Sequence, residues 1–91
     1  MSINQTAATS PESVRAALVD YLSTELKTPV TTDQDLLTAD LVSSMFAMEL
    51  AVQLEQTYGI AVVGEDMRME NFRTVDTMVD LVLRLRSAPD Q

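Results

Sequence analysis

The chain has no cysteine and no histidine among its 91 residues. Without cysteine it forms no disulfide and no thiolate zinc site. Without histidine it lacks the commonest general base at neutral pH and the commonest metal ligand. No two carboxylates are paired in an apolar setting that would raise a pKa, so the acidic residues predict a solvated surface. We therefore expect neither an enzyme nor a metal site.

Long apolar runs and targeting signals are also missing. No apolar run approaches the roughly 20 residues that span a membrane. The N-terminal sequence Met-Ser-Ile-Asn-Gln-Thr lacks the charged and apolar regions of a signal peptide. We expect a cytoplasmic protein that binds no membrane. The length and the 46% apolar content predict one small domain with a modest core, monomeric when alone.

Acidic charge is concentrated in the middle of the chain. The net charge is −8, and residues 33–72 contribute −7 of it, with Arg68 as their single basic residue. Such a surface repels nucleic acid and attracts a partner that has lysine and arginine at its docking site. Solubility is the other explanation of the charge, but its concentration in one stretch favours a partner.

Helical periodicity predicts three main helices. The first begins behind a capping Ser10 and runs to about Leu26. The second lies within residues 40–59, where paired serines mark the start and Gly59 marks the end. The last follows a capping Thr74. The positions expected in the core are Val14, Ala17, Leu18, Tyr21, Leu22 and Leu26 in the first helix, and Val75, Met78, Val79, Val82 and Leu85 in the last.

The first connection is a long loop. Residues 27–40 show no sustained period and are rich in loop-forming proline, threonine and aspartate. A loop of this length in a small domain is often functional. Four apolar side chains are expected to anchor it on the core, namely Val30, Leu36, Leu37 and Leu41.

The second connection is shorter and mixed. Residues 60–64 predict an extended segment packed on the bundle, and residues 65–71 predict a short helix. The fold class is therefore all-α: a small irregular four-helix bundle, with three main helices, one short helix and a long first loop. We expect the domain to span residues 10–87, with a disordered tail at 1–9 and a frayed end at 88–91.

The second helix has more apolar surface than one buried stripe needs. Glu49, Gln53 and Gln56 share a narrow polar face, and apolar residues cover most of the rest. Either this helix lies deep in the bundle, or one apolar edge is kept for a ligand or a partner.

The second helix places Ser44, Glu49, Leu54 and Tyr58 at fixed intervals, and this spacing resembles the signature of acyl and peptidyl carrier proteins. In that family an Asp-Ser-Leu motif opens the second helix, and Glu-Leu, Leu-Glu and an aromatic residue follow at fixed spacings. Phe72-Arg73-Thr74-Val75 is similar to the segment that opens the family's last helix. The resemblance covers about residues 33–85. The matching set in the second helix is Ser44-Met45, Glu49-Leu50, Leu54-Glu55, Tyr58 and Ile60.

The resemblance implies a covalent 4'-phosphopantetheine arm on Ser44, transferred from coenzyme A by a phosphopantetheinyl transferase. An acyl group would be attached to the thiol of the arm as a thioester. The expected partners are an acyl- or aminoacyl-loading enzyme and an acyltransferase, ketosynthase or condensation partner. A serine at a helix N-terminus suits a phosphodiester, since the free N–H groups and the helix dipole favour an anion there.

The segments 41–50 and 71–76 are most similar to stand-alone carriers of polyketide and nonribosomal peptide pathways, which include antibiotic biosynthesis. Within these, the chain resembles carriers of unusual extender or starter units, such as alkoxymalonyl groups. An amino acid or β-amino acid cargo stays open.

Partner-binding residues are expected around Ser44. Met45, Met48 and Val52 run along one face from the attachment point as an adaptable apolar edge, although core packing is an equal alternative for Met48 and Val52. Phe46 is expected to be exposed and to mark a contact. The full expected set is Asp40, Met45, Phe46, Met48, Glu49, Val52, Glu65 and Asp66.

Two positions depart from the family pattern. Ser43 stands where the family usually has aspartate, and Asp40 and Leu41 stand where a glycine is usual. Ser43 is therefore a second candidate hydroxyl, and Asp40 can supply the missing charge. The departure also keeps a second function open, an unmodified carrier-like helical adaptor that acts by protein binding alone.

Overall fold

The computed structural model describes residues 10–87, which form three α-helices and two 3₁₀-helices. Helix α1 is Pro11–Leu26, α2 is Ser44–Tyr58 and α3 is Val75–Ser87, and the 3₁₀-helices are Gly64–Met67 and Met69–Phe72. The predicted all-α bundle with three main helices is confirmed, and no strand occurs in this range. The domain bounds stay a prediction, and the predicted disorder at 1–9 and 88–91 concerns residues outside the described range.

Side-chain caps fix where the helices begin. The Ser10 hydroxyl accepts a hydrogen bond from the Ser13 amide at 3.2 Å, and the Thr74 hydroxyl accepts one from the Thr77 amide at 3.0 Å. Helix α2 ends at Gly59, whose φ of 65° is the left-handed conformation that glycine adopts without steric cost. The predicted helix starts and the glycine stop are confirmed.

The predicted short helix over 65–71 is wrong in detail. The segment forms two 3₁₀-helices, separated at Arg68, whose backbone is extended with ψ of 142°. Short connectors commonly take this tighter form, because too few residues are available to propagate an α-helix. The side-chain amide of Asn71 donates to the Asp66 carbonyl at 2.9 Å and ties the two pieces together.

The three helices and the second 3₁₀-helix enclose one apolar core. Helix α1 packs chiefly on α3, and the second 3₁₀-helix packs on α3 and α2. Ala17 is exposed, contrary to the expected stripe, and Tyr21, Leu26 and Leu85 are only half-buried against the core. Leu81, which was not expected in the stripe, is fully buried. No polar side chain is buried among residues 10–87, and within that range no helix is long and apolar enough to cross a membrane.

The long loop before α2 is anchored on the bundle as expected. Val30 and Leu36 are buried, and Leu37 and Leu41 are half-buried against the core. Val42, which the pattern did not single out, is buried as well. The loop therefore leads into α2 from a fixed position.

Arg73 at the start of α3 fastens this loop with side chain and backbone. Its guanidinium contacts Asp35 Oδ2 at 2.6 Å and both carboxylate oxygens of Glu70 at 2.9 and 3.1 Å. Its carbonyl accepts a hydrogen bond from the Leu36 amide at 2.7 Å. The Leu36 carbonyl in turn accepts from the Leu41 and Val42 amides, so the Arg73 cluster (Asp35, Glu70 and Arg73) holds the segment that precedes α2.

The Arg73 cluster depends on two ionised carboxylates. The hydrogen bond from the Thr38 amide, followed by those from the Thr38 hydroxyl and Arg73, lowers the pKa of Asp35. The bidentate contact with Arg73 lowers the pKa of Glu70. A carboxylate with a lowered pKa in the folded state stabilises the fold above its unfolded pKa, and this contribution is lost as the pH falls through the folded pKa.

We expect the Arg73→Gln variant to lose thermal stability at pH 7, with the gap to the parent narrowing as the pH falls below about 4, where the unfolded carboxylates titrate. Thermal unfolding followed by circular dichroism between pH 7 and pH 3 measures the gap. Lys27→Gln is the control, since it removes the same charge from an exposed side chain with no ion pair in residues 10–87. A gap that stays constant with pH would contradict the assignment.

Candidate functional site

The Ser44 side chain lies in the first turn of α2, where the long loop enters the helix. Ser44 is the first helical residue and is exposed. Its hydroxyl makes no hydrogen bond to any other residue in the described range, and the same holds for the Ser44 and Met45 amides. Free amides in a first turn attract anions, so an exposed hydroxyl stands beside groups that stabilise negative charge.

The two neighbouring serines have different roles. The Ser43 hydroxyl accepts a hydrogen bond from the Phe46 amide at 3.1 Å and is the N-cap of α2. The cap holds the Ser43 oxygen against the helix end, whereas the Ser44 oxygen is free to react. The sequence register favours Ser44 and keeps Ser43 as a second candidate, and attachment at Ser44 stays a prediction.

A shallow groove runs along α2 from this point. We call it the Ser44 groove, and it is lined by Ser44, Met45, Met48, Glu49 and Val52. Met45, Met48 and Val52 are 71%, 61% and 50% exposed. The alternative of core packing for Met48 and Val52 is therefore wrong. An exposed apolar edge of this kind is typical of interaction surfaces, although a partner-binding role for these residues stays a prediction.

Phe46 does not have the exposure that was expected. The ring is half-buried and packs against the core, because it lies on the flank of α2 that turns away from the Ser44 groove. Asp40, by contrast, is exposed just before the helix, and its φ of 63° is a left-handed conformation that aspartate tolerates better than most residues. Its carboxylate is available to a partner.

The two remaining predicted residues lie away from the groove. Glu65 and Asp66 belong to the first 3₁₀-helix, and neither lines the Ser44 groove. Glu65 is exposed, whereas Asp66 is half-buried and contacts Arg84 of α3 at 3.3 Å. The structure therefore brings Met45, Met48, Glu49 and Val52 together with Ser44, and does not bring Glu65 and Asp66 into the same groove.

The sequence analysis did not predict two of the contacts that the structure shows. Glu55 accepts a hydrogen bond from the Val62 amide at 2.8 Å and so fixes the connection after α2, rather than standing free on a solvated face. The Arg73 cluster joins residues 38 apart in sequence, Asp35 and Arg73, and charge type alone does not reveal such a pair.

Helix α2 carries only acidic charge, from Glu49 and Glu55, with no acidic residue in its first turn and no basic residue in its last. Since Glu55 is engaged with the backbone, Glu49 is the charged side chain that the helix offers at the groove. The groove is thus apolar with an acidic margin, which suits a partner that is apolar at its centre and basic at its rim.

The small helical bundle with an exposed serine at the start of α2 is consistent with a carrier protein. The family model described as "Phosphopantetheine attachment site" matches residues 16–82. The chain belongs to this family, the phosphopantetheine-binding acyl and peptidyl carrier proteins, and its cofactor is covalent 4'-phosphopantetheine. Comparison with curated proteins and with solved structures gives no match.

Proposed function

We propose that this carrier protein holds its phosphopantetheine arm on Ser44 and presents an acyl or aminoacyl group to partner enzymes as a thioester. The observation that carries the site is the free, exposed Ser44 hydroxyl beside a Ser43 hydroxyl that is engaged as the helix cap. When bound, the arm supplies the thiol that carries the acyl group.

The residues at the start of α2 fit such an anchor. Ser44 supplies the oxygen, and the free amides of Ser44 and Met45 favour the negative charge of a phosphodiester. No histidine is present to remove the serine proton, so activation falls to an external phosphopantetheinyl transferase that uses coenzyme A. On this proposal the chain makes no chemical step of its own.

The Ser44 groove and its surroundings form the docking surface in this proposal. Its centre is the apolar edge of Met45, Met48 and Val52, and its acidic margin is Glu49 and Asp40. Phe46, Glu65 and Asp66 do not line the groove, and a partner-binding role for them stays a prediction from the sequence. The partners are the transferase, a loading enzyme, and an acyltransferase, ketosynthase or condensation enzyme.

The pathway and cargo rest on the sequence resemblance. We propose a role in polyketide or nonribosomal peptide biosynthesis, with an unusual extender or starter unit as the cargo. The cytoplasmic location stays a prediction.

A second candidate is the unmodified adaptor. The observation that favours it is the lack of any acidic residue in the first turn of α2 and the uncharged cap at Ser43. An adaptor would use the same groove for protein binding and would need no arm.

Intact mass spectrometry separates the two functions. The purified chain is incubated with coenzyme A and a transferase of broad specificity, after circular dichroism has shown that it is helical. The carrier function predicts a mass gain of one phosphopantetheine for each chain. If the mass is unchanged with several transferases, under conditions that modify a known carrier, the carrier function is wrong and the adaptor function remains.

A further inference from the structure

The five methionines within residues 10–87 differ in exposure. Met45 and Met48 are 71% and 61% exposed in the Ser44 groove, whereas Met78 is completely buried in α3. Met67 and Met69 are half-buried against the core. Since the chain has no cysteine, thioethers are its only sulfur groups before the arm is added. Among the methionines within residues 10–87, the two exposed thioethers thus lie on one patch, beside the proposed attachment serine.

We propose that Met45 and Met48 form a reversible oxidation site that controls docking of the phosphopantetheinyl transferase at the Ser44 groove. This proposal rests on the proposed function. The oxidant class is a hydroperoxide such as hydrogen peroxide. The thioether sulfur attacks one oxygen of hydrogen peroxide, and an S–O bond forms as the O–O bond breaks. The proton of the attacked oxygen passes to the departing hydroxide, which leaves as water. The sulfur gives up two electrons, the peroxide is reduced, and methionine sulfoxide results.

Oxidation to the sulfoxide changes the surface of the protein and leaves the core intact. It converts a flexible apolar side chain into a polar one, and polar groups at the centre of a docking surface lose part of their hydration without gaining a partner. The core is spared, because Met78 is protected by burial and neither Met45 nor Met48 belongs to the buried cluster. Methionine sulfoxide reductases reverse the modification.

The first measurement is the order of oxidation. The chain without its arm is treated with graded hydrogen peroxide, the peroxide is removed with catalase, and peptides are mapped by mass spectrometry. Met45 and Met48 are expected to oxidise before Met67 and Met69, with Met78 last. Oxidation of Met78 at the same rate as Met48, in a chain whose circular dichroism is unchanged, would overturn the site.

The second measurement is the kinetics of arm transfer from coenzyme A. The oxidised chain is expected to show a rise in KM on the order of fivefold, the scale of losing part of one apolar contact, with kcat little changed. Treatment with methionine sulfoxide reductases is expected to restore the KM. The Met45→Leu, Met48→Leu double variant is the matched control, since leucine keeps the apolar edge and does not oxidise, so peroxide should leave its KM unchanged.

The outcomes separate this proposal from the proposed function. If the untreated chain accepts the arm and the oxidised chain accepts it with the same KM, the oxidation switch is wrong and the carrier function stands. If the peroxide effect persists in the double variant, the effect comes from other residues and the switch is again wrong. If the untreated chain accepts no arm, the proposed function fails and the switch fails with it.

Discussion

The Ser44→Ala variant is expected to take up no phosphopantetheine from coenzyme A, whereas the Ser43→Ala variant is expected to take it up. The Ser44 hydroxyl is exposed and free, and alanine offers no oxygen in its place. Ser43 serves as the cap of α2, so its loss weakens the helix end but leaves the proposed anchor. Intact mass after the same incubation measures both.

An effect of either substitution on the stability of the fold must be separated from its effect on uptake of the arm. Ser44→Ala should be close to neutral, because the side chain is exposed and alanine is the best helix former. Ser43→Ala should cost about 1 kcal/mol through the lost cap. Ser43→Asn restores a capping group without a hydroxyl. Uptake by Ser44→Ala together with none by Ser43→Asn would move the attachment site to Ser43.

The Phe72→Ala variant is expected to lose about 3–5 kcal/mol of the free energy of unfolding. Phe72 is completely buried in the second 3₁₀-helix, where that segment packs on both α2 and α3. Truncation removes the transfer free energy of the ring and leaves a cavity that the neighbouring helices fill only in part. The total stability of a small domain is about 5–15 kcal/mol, so a loss of this size should lower the urea midpoint well below that of the parent.

Urea denaturation followed by circular dichroism measures this loss. Phe46→Ala is the matched control, since it makes the same truncation at a half-buried ring and should cost less than half as much. If the two variants lose the same free energy of unfolding, the greater burial of Phe72 is contradicted.

The helix boundaries were accessible from sequence because each one depends on local chemistry. Ser10, Thr74 and Gly59 act within one turn of their own position, through a cap hydrogen bond or a left-handed backbone. The break at Arg68 was not accessible, since a short polar segment is compatible with one α-helical turn or with two 3₁₀-helices.

The faces of α2 were harder to predict for a physical reason. Its apolar residues surround most of the helix, so the pattern does not determine which flank meets the core. For Met48 and Val52 the sequence therefore left core and surface as equal alternatives, and Phe46 was expected to be exposed. In the structure, the packing of α2 exposes Met48 and Val52 and half-buries Phe46. The sequence register favoured Ser44 over Ser43, but the hydrogen bond from the Phe46 amide to the Ser43 hydroxyl could be seen only in the structure.

The most direct test of the attachment site uses the unaltered sequence. The chain is loaded with phosphopantetheine, digested, and the peptide that contains both serines is fragmented by electron transfer, which keeps the modification on its residue. We expect fragment ions in which the added mass begins at Ser44. Fragments that place the mass on Ser43, or on any other hydroxyl, would contradict it.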